Sequence, residues 1–334
     1  MKRLVVRVAN ALGETGLYHR LCPGNLPVFM LHRVHDGSCP DIGGLHADQL
    51  RSYLRYLSAR HYRILSMDEI RDIVVNKVKI PAKCVAFTID DGFFDHYQVA
   101  ASVFDEFHYP LNFFVISGFL DGQLWPWDDQ VAWAIHHAKN ETASVQLPEG
   151  ETLALDLRQA HATNCVKTLR ERLKKNSQEH IYQWIRNQLF PATGAAFPAT
   201  IPYPYAPMSW DDARDLVRRG HGVYPHTGSH RILSTLDSSQ RESEILDSRQ
   251  RVEEELKQRV SVFAYPTGRP SDYGRTDAEI LERAGFDIAF NTVTDYIRPG
   301  ERPFDLPRFS LPESGDDFRQ IVNRFEAFKA RLRS

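Results

Sequence analysis

The chain has 334 residues, enough for one large α/β domain with an insertion or for two ordinary domains. Its 41 Lys and Arg against 43 Asp and Glu give a formal charge of −2, which excludes the basic footprint that nucleic-acid binding needs. Four scattered cysteines, Cys22, Cys39, Cys84 and Cys165, form no CxxC pair and no dense framework, a pattern suited to a reducing compartment.

At the N-terminus, the apolar run of MKRLVVRVANALGETGLYHRL is too short and interrupted for a signal peptide. No other run approaches a membrane span, so a cytoplasmic location is expected. Residues 1–25 read as an amphipathic helix with Leu4, Val5, Val8 and Leu12 on one face. That face packs on its own domain or, with Lys2, Arg3 and Arg7 meeting anionic headgroups, makes peripheral membrane contact.

From residue 26 to 120, strand and helix alternate, as in parallel sheets and (β/α) barrels. LPVFMLHRVHD reads as a strand ending at a polar loop. Leu50, Tyr53, Leu54 and Leu57 recur at helical spacing, and Ser66 caps a helix with acidic residues in its first turn. The run Val85–Ile89 reads as a buried parallel strand that ends in Asp90-Asp91-Gly92. A helix near 95–108 and the strand LNFFVIS follow.

Residues 121–207 break this pattern and read as a mostly helical insertion. Trp125, Trp127 and Trp133 lead a helix, either as core aromatics or as sugar-stacking faces, LPEGETLALD suggests a hairpin, and charged helices occupy 157–190. The alternation resumes over 208–312, through a helix at 236–257, the strand VSVFAYP, a helix at 275–284 and the strand FDIAFNT. A single amphipathic helix within 313–334 closes the domain with Phe318, Ile321, Phe325 and Phe328.

The chemistry gathers in two places. Adjacent carboxylates at a strand end repel and point in different directions, so they meet different partners. His226-Thr227-Gly228-Ser229-His230 offers two imidazoles, with Pro225 and Gly228 favouring a strand-end loop over a helix. Two imidazoles and one carboxylate make a hydrolytic metal site with an open position, and the second carboxylate is then free to act as a base.

TIDDG followed by HTGSH resembles the first two motifs of the polysaccharide deacetylases, carbohydrate esterase family 4 with the NodB homology domain. DDGFFDHYQVAASVFDEFHYPLNFFVISGFLDG resembles their first βαβ unit, and SVFAYPTGRPSDYG their third motif. The resemblance spans about residues 27–311, with the insertion as an interruption. It implies a distorted (β/α) barrel and a metal-dependent hydrolase that removes N-acetyl groups from an amino sugar of a cell-surface polysaccharide or lipid-linked glycan precursor. The implied ligands are Asp91, His226 and His230, with a divalent transition metal for which zinc suits the donors but cobalt, nickel, manganese and iron stay open.

The resemblance makes Asp90 the general base and the backbone N–H of Thr267 an oxyanion donor. It also exposes two departures. Ala264 stands where the third motif normally carries an arginine, so Arg308, or Arg269, is expected to supply that charge to Asp90. No histidine follows His230, so the general acid is expected to be His32, as in members whose last motif has moved to the N-terminal side; His35 and His46 are weaker candidates. Asp95, His96, His136 and His137 carry no comparable argument. Hydrolysis of a cyclic imide or ureide, and an inactive carbohydrate-binding relative, are the rival readings.

Overall fold

The computed structural model describes residues 9–39 and 42–333. Its strands are β1 Val28–Leu31, β2 Val34–His35, β3 Leu45–His46, β4 Arg63–Ile64, β5 Cys84–Asp91, β6 Asn112–Val115, β7 Thr142–Gln146, β8 Thr152–Asp156, β9 Gly222–Pro225, β10 Val262–Ala264, β11 Ile288–Phe290 and β12 Phe309–Ser310. The central sheet runs β12-β1-β5-β6-β9, entirely parallel, with β4 paired to the start of β5. A separate parallel pair, β10-β11, extends it, and Phe290 bridges to Leu306 on the way to β12. The result is a distorted (β/α) barrel.

β5 is the axis of this arrangement, because all eight of its residues are buried. Strands covered on both faces need an unbroken apolar run, as Val85-Ala86-Phe87 supplies, and Cys84 is fully buried among them. On one face the aromatic layer Phe29, Phe87, Phe104 and Phe113 packs under the helix Ala47–Ala59, which buries Leu50, Tyr53, Leu54 and Leu57. The helix Met67–Val74 begins with a full capping box between Ser66 and Glu69, satisfying two otherwise unpaired donors.

The insertion has a hydrophobic core of its own, built from Trp127, Ile135, Leu169, Ile185 and Leu189 among others. Trp125 and Trp127 are buried, whereas Trp133 is half-buried and stacks on His137 at 3.6 Å. The hairpin lies further upstream than expected. β7 precedes LPEGETLALD, whose Leu147-Pro148-Glu149-Gly150 forms the turn, since proline cannot donate to a strand ladder and Gly150 adopts φ 92°.

The closing segment is two helices, Gly315–Val322 and Phe325–Arg333, rather than one. Arg324 breaks it at φ 70°, turning its buried guanidinium to the carbonyls of Val322 and Cys84, while Asn323 bonds the hydroxyls of Tyr56 and Tyr62. These long-range bonds outweigh helical propensity. Phe318 and Ile321 are buried, and Phe325 and Phe328 each meet Tyr18 at 5.2 Å. The N-terminal segment is likewise not one helix: helical residues 9–14 are separated from the helix Leu17–Leu21 by a turn with Gly16 at φ 79°. Leu4, Val5 and Val8 lie outside the described residues. No described helix is long and apolar enough to cross a membrane.

Candidate active site

The two carboxylates diverge at the end of β5. Asp90 keeps strand geometry and receives a bidentate pair from Arg308, Nη1 to Oδ1 and Nη2 to Oδ2, both at 2.8 Å. Arg308 is 0 % exposed, and its remaining donors reach the Asn291 carbonyl at 2.9 Å and the Thr88 hydroxyl at 3.0 Å. Burial alone would raise the Asp90 pKa; the Arg308 charge, aided by His226 and the direct hydrogen bonds, outweighs it and holds the carboxyl below its ordinary value. Arg308 is thus the cation that Asp90 meets, and Ala264 supplies none. Arg269, the alternative, instead forms an exposed pair with Glu171 at 2.9 Å.

Asp91 departs from strand geometry. Its φ of 92° lies in the left-handed region, costly for a residue with a Cβ, and turns its carboxylate away from Asp90. Gly92 continues the turn at φ 94°, where a Cβ would also strike Leu120 at 2.8 Å. Asp91 Oδ1 lies 3.7 Å from His226 Nε2 and 3.5 Å from His230 Nε2.

Both histidines come from the loop after β9, which is a strand-end loop as expected from Pro225 and Gly228. Thr227 and His230 adopt φ 69° and 56°, and the Thr227 hydroxyl accepts the His230 N–H at 3.0 Å. The loop packs on Ser117 and Gly118, whose N–H groups donate to the carbonyls of Thr227 and Gly228 at 3.2 and 3.0 Å. Only glycine fits at position 118, since a Cβ would meet the Gly228 oxygen at 2.7 Å.

His226 Nδ1 donates to the Ala264 carbonyl at 2.8 Å, leaving the Nε2 lone pair free to face Asp91. Burial, with the charges of His230 and Arg308, depresses its pKa to about 3, which keeps the ring neutral, the form that binds metals. One donor atom from each of Asp91, His226 and His230 falls within a 4.8 Å cluster. Asp91 Oδ1 is buried without a hydrogen-bond partner, and burial together with Asp128, Asp90 and Asp129 drives its pKa well above the ordinary range. An unpaired buried carboxylate oxygen facing two neutral imidazoles is the environment a divalent cation satisfies.

His32 follows β1, one residue beyond the Leu31–Ile89 pairing, and so stands level with Asp90 on the neighbouring strand. The residue lies at the rim, where burial by the surrounding protein lowers its pKa against the pull of Asp90 and Asp128. The sequence pattern did not reveal its supports. His96, fully buried, bonds the His32 carbonyl, and Asp95 receives Arg33 Nε at 3.0 Å and the Val34 N–H at 3.1 Å. His46 caps the helix Ala47–Ala59 through Nδ1, and His35 packs edge-on against it at 5.2 Å, so both are engaged in a local structure. Thr267 stands at φ 55° in the loop after β10, with its hydroxyl bound to Asp272 and its carbonyl to the Thr292 hydroxyl at 2.7 Å.

Sequence reasoning also passed over Asp128 and Asp129, in the first turn of the helix Trp127–His136. Asp128 Oδ1 lies 3.9 Å from His230 Nδ1, and Arg170 contacts Asp129 at 3.2 Å. Burial and the neighbouring Asp128 raise the Asp129 pKa to about 7.

Paired carboxylates and two imidazoles gathered at the strand ends of a parallel α/β barrel are groups suited to hydrolytic chemistry. The chain belongs to the polysaccharide deacetylase family, whose model matches residues 77–289, and is accordingly a carbohydrate de-N-acetylase. The match contains Asp90, Asp91, His226, His230 and Thr267; His32 and Arg308 flank it. The Streptococcus pyogenes deacetylase PplD, solved in complex with acetate, superposes with a TM-score of 0.59 at 17 % identity, over 89 % of this chain and 96 % of PplD. IcaB from Ammonifex degensii gives 0.56 at 19 % identity, over 90 % and 96 %. YxkH of Bacillus subtilis (strain 168) is 18 % identical over 289 residues, 86 % of this chain and 70 % of YxkH.

Proposed function

We propose that the protein is a metal-dependent hydrolase that removes the N-acetyl group from an amino sugar of a cell-surface polysaccharide or a lipid-linked glycan precursor. The observation that carries the metal is the orphaned Asp91 Oδ1 facing two Nε2 atoms. Asp91, His226 and His230 would hold the ion, zinc being the best match to the donors, and its chemistry there is Lewis-acid polarisation of the acetamide and of water.

Asp90, ionised by its pairing with Arg308, takes the proton of the attacking water. The Thr267 N–H stabilises the oxyanion, and His32 delivers a proton to the departing amine, without which an amine is a poor leaving group. Acetate and a free amino sugar result. The absence of a basic field fits a neutral glycan, and nucleic acid is not a partner in this reading. In this reading the protein acts in the cytoplasm, and the exposed Leu12, Leu17 and Leu21 of the N-terminal segment are the residues that would make peripheral contact with a membrane carrying the precursor.

Acetate release from a panel of N-acetylated oligosaccharides and nucleotide- or lipid-linked sugars, with and without chelator, tests the reading. Release that is abolished by chelator and restored by Zn2+ is expected; turnover of cyclic imides alone would replace it. His32→Ala should lose about 10² to 10⁴-fold on acetamides and far less on an activated aryl acetate, whose leaving group needs no proton. Equal losses on both substrates would remove His32 as the acid.

A further inference from the structure

The two ligand histidines are supported from different parts of the molecule. The barrel supports His226, whose Nδ1 donates to the carbonyl of Ala264 at the end of β10. The corresponding nitrogen of His230 faces the insertion: its Nδ1 is buried, has no hydrogen-bond partner, and lies 3.9 Å from Asp128 Oδ1, which is also buried and unpartnered. A small side-chain rotation would bring this pair to hydrogen-bond distance.

Surrounding contacts make the approach specific. Trp127, the residue before Asp128, donates its indole N–H to the carbonyl of His230 at 3.1 Å. Tyr182 donates its hydroxyl to the Ser229 carbonyl at 2.7 Å, and Gln178 accepts the Ile232 N–H at 2.8 Å. On the opposite side, Glu244 of the helix Ser238–Leu256 accepts the Ser229 N–H at 2.8 Å. Arg170 fixes the Asp128 turn by donating to its carbonyl at 2.6 and 2.8 Å. Three insertion residues thus grip the segment Ser229–Ile232, and a fourth presents a carboxylate to the ring.

We propose that Asp128 is the positioning residue for His230, accepting its Nδ1–H so that Nε2 is held as a lone pair toward Asp91, and that the insertion is thereby part of the metal-holding apparatus. An imidazole without an Nδ1 partner exchanges tautomers and rotates, whereas a carboxylate on the far nitrogen fixes both tautomer and ring plane and raises ligand basicity. The inference rests on the ligand set of the proposed function.

The test compares the full chain with Asp128→Asn, Asp128→Glu and Asp129→Asn. Zn2+ affinity is measured by chelator competition, and the visible spectrum is recorded after loading with Co2+. Asp128→Asn should bind Zn2+ about 10 to 100-fold more weakly, the usual cost of removing such a partner, and its Co2+ bands should shift. Asp128→Glu should recover part of the affinity, and Asp129→Asn, which faces Arg170, should change less. If the Asn variant does not fold, Asp128→Ser is measured with the same expectation. Wild-type affinity and spectrum in the carboxylate-free variant, or an equal loss in Asp129→Asn, would overturn the assignment. An unsubstituted chain that binds no Zn2+ would overturn the ligand set itself, a distinguishable result.

Discussion

The barrel and the insertion hold the same few side chains by different means. The barrel uses buried charge: Asp90 and Arg308 are both almost inaccessible, are joined bidentately, and come from strands β5 and the approach to β12, 218 residues apart. The insertion has its own apolar core and reaches the site mainly through neutral hydrogen bonds to the backbone of Ser229, His230 and Ile232. A buried ion pair specifies a charge state, since losing one partner leaves the other stranded. Backbone bonds specify a position and leave the charge untouched. With the roles proposed above, the barrel would set the charge state of Asp90 as the base and the insertion the place of His230 as a ligand.

The largest effect should come from Asp90→Asn. Turnover is expected to fall by about 10² to 10⁴-fold with metal content unchanged, measured by acetate release and metal analysis on one preparation. Metal loss in that variant would mean that Asp90 and Asp91 have exchanged roles.

Arg308→Met removes the cation and leaves Asp90 buried alone, costing about 3–5 kcal/mol of stability in denaturant titration. The sign of its pH effect is determined by the present pairing. Asp90 is held below its ordinary pKa, so the stabilisation is complete above the ordinary carboxylate range and is lost as pH falls through the folded-state value. Without Arg308, burial raises that pKa, and the acid limb of the activity profile should move to higher pH. A profile that does not move would deny Arg308 its role.

Leu169→Ala opens a cavity in the insertion core, far in character from any ligand, at a cost of about 2–5 kcal/mol. If the insertion positions His230, Zn2+ affinity should fall as well; an insertion that unfolds while wild-type affinity persists would mean that the barrel alone holds the histidine.

Tyr182→Phe deletes one hydroxyl and strands the Ser229 carbonyl, for a loss of about 1 kcal/mol. Thermal denaturation with and without Zn2+ checks it, since the loss should be larger in the metal-loaded protein. Equal losses in both would mean that the tyrosine supports the fold alone.

What was legible in the sequence was local. The apolar run into Asp90-Asp91-Gly92 requires a strand buried on both faces and a sharp exit, Ser66 with Glu69 declares a helix start, and Pro225 with Gly228 turns the histidine motif into a loop. Each signal is carried by neighbours within a few residues, where backbone geometry alone decides the outcome. Arg308 could be nominated because an absent arginine left a charge unaccounted for, but only barrel closure brings it to Asp90. Asp128 gave no sign, since its relation to His230 crosses 102 residues and depends on how the insertion folds back. The break at Arg324 was hidden for the same reason: Phe318 to Phe328 keeps helical periodicity, while the bonds that end the helix come from Tyr56, Tyr62 and Cys84. Periodicity and capping chemistry are properties of the chain, whereas the partner of a buried charge is a property of the packed barrel.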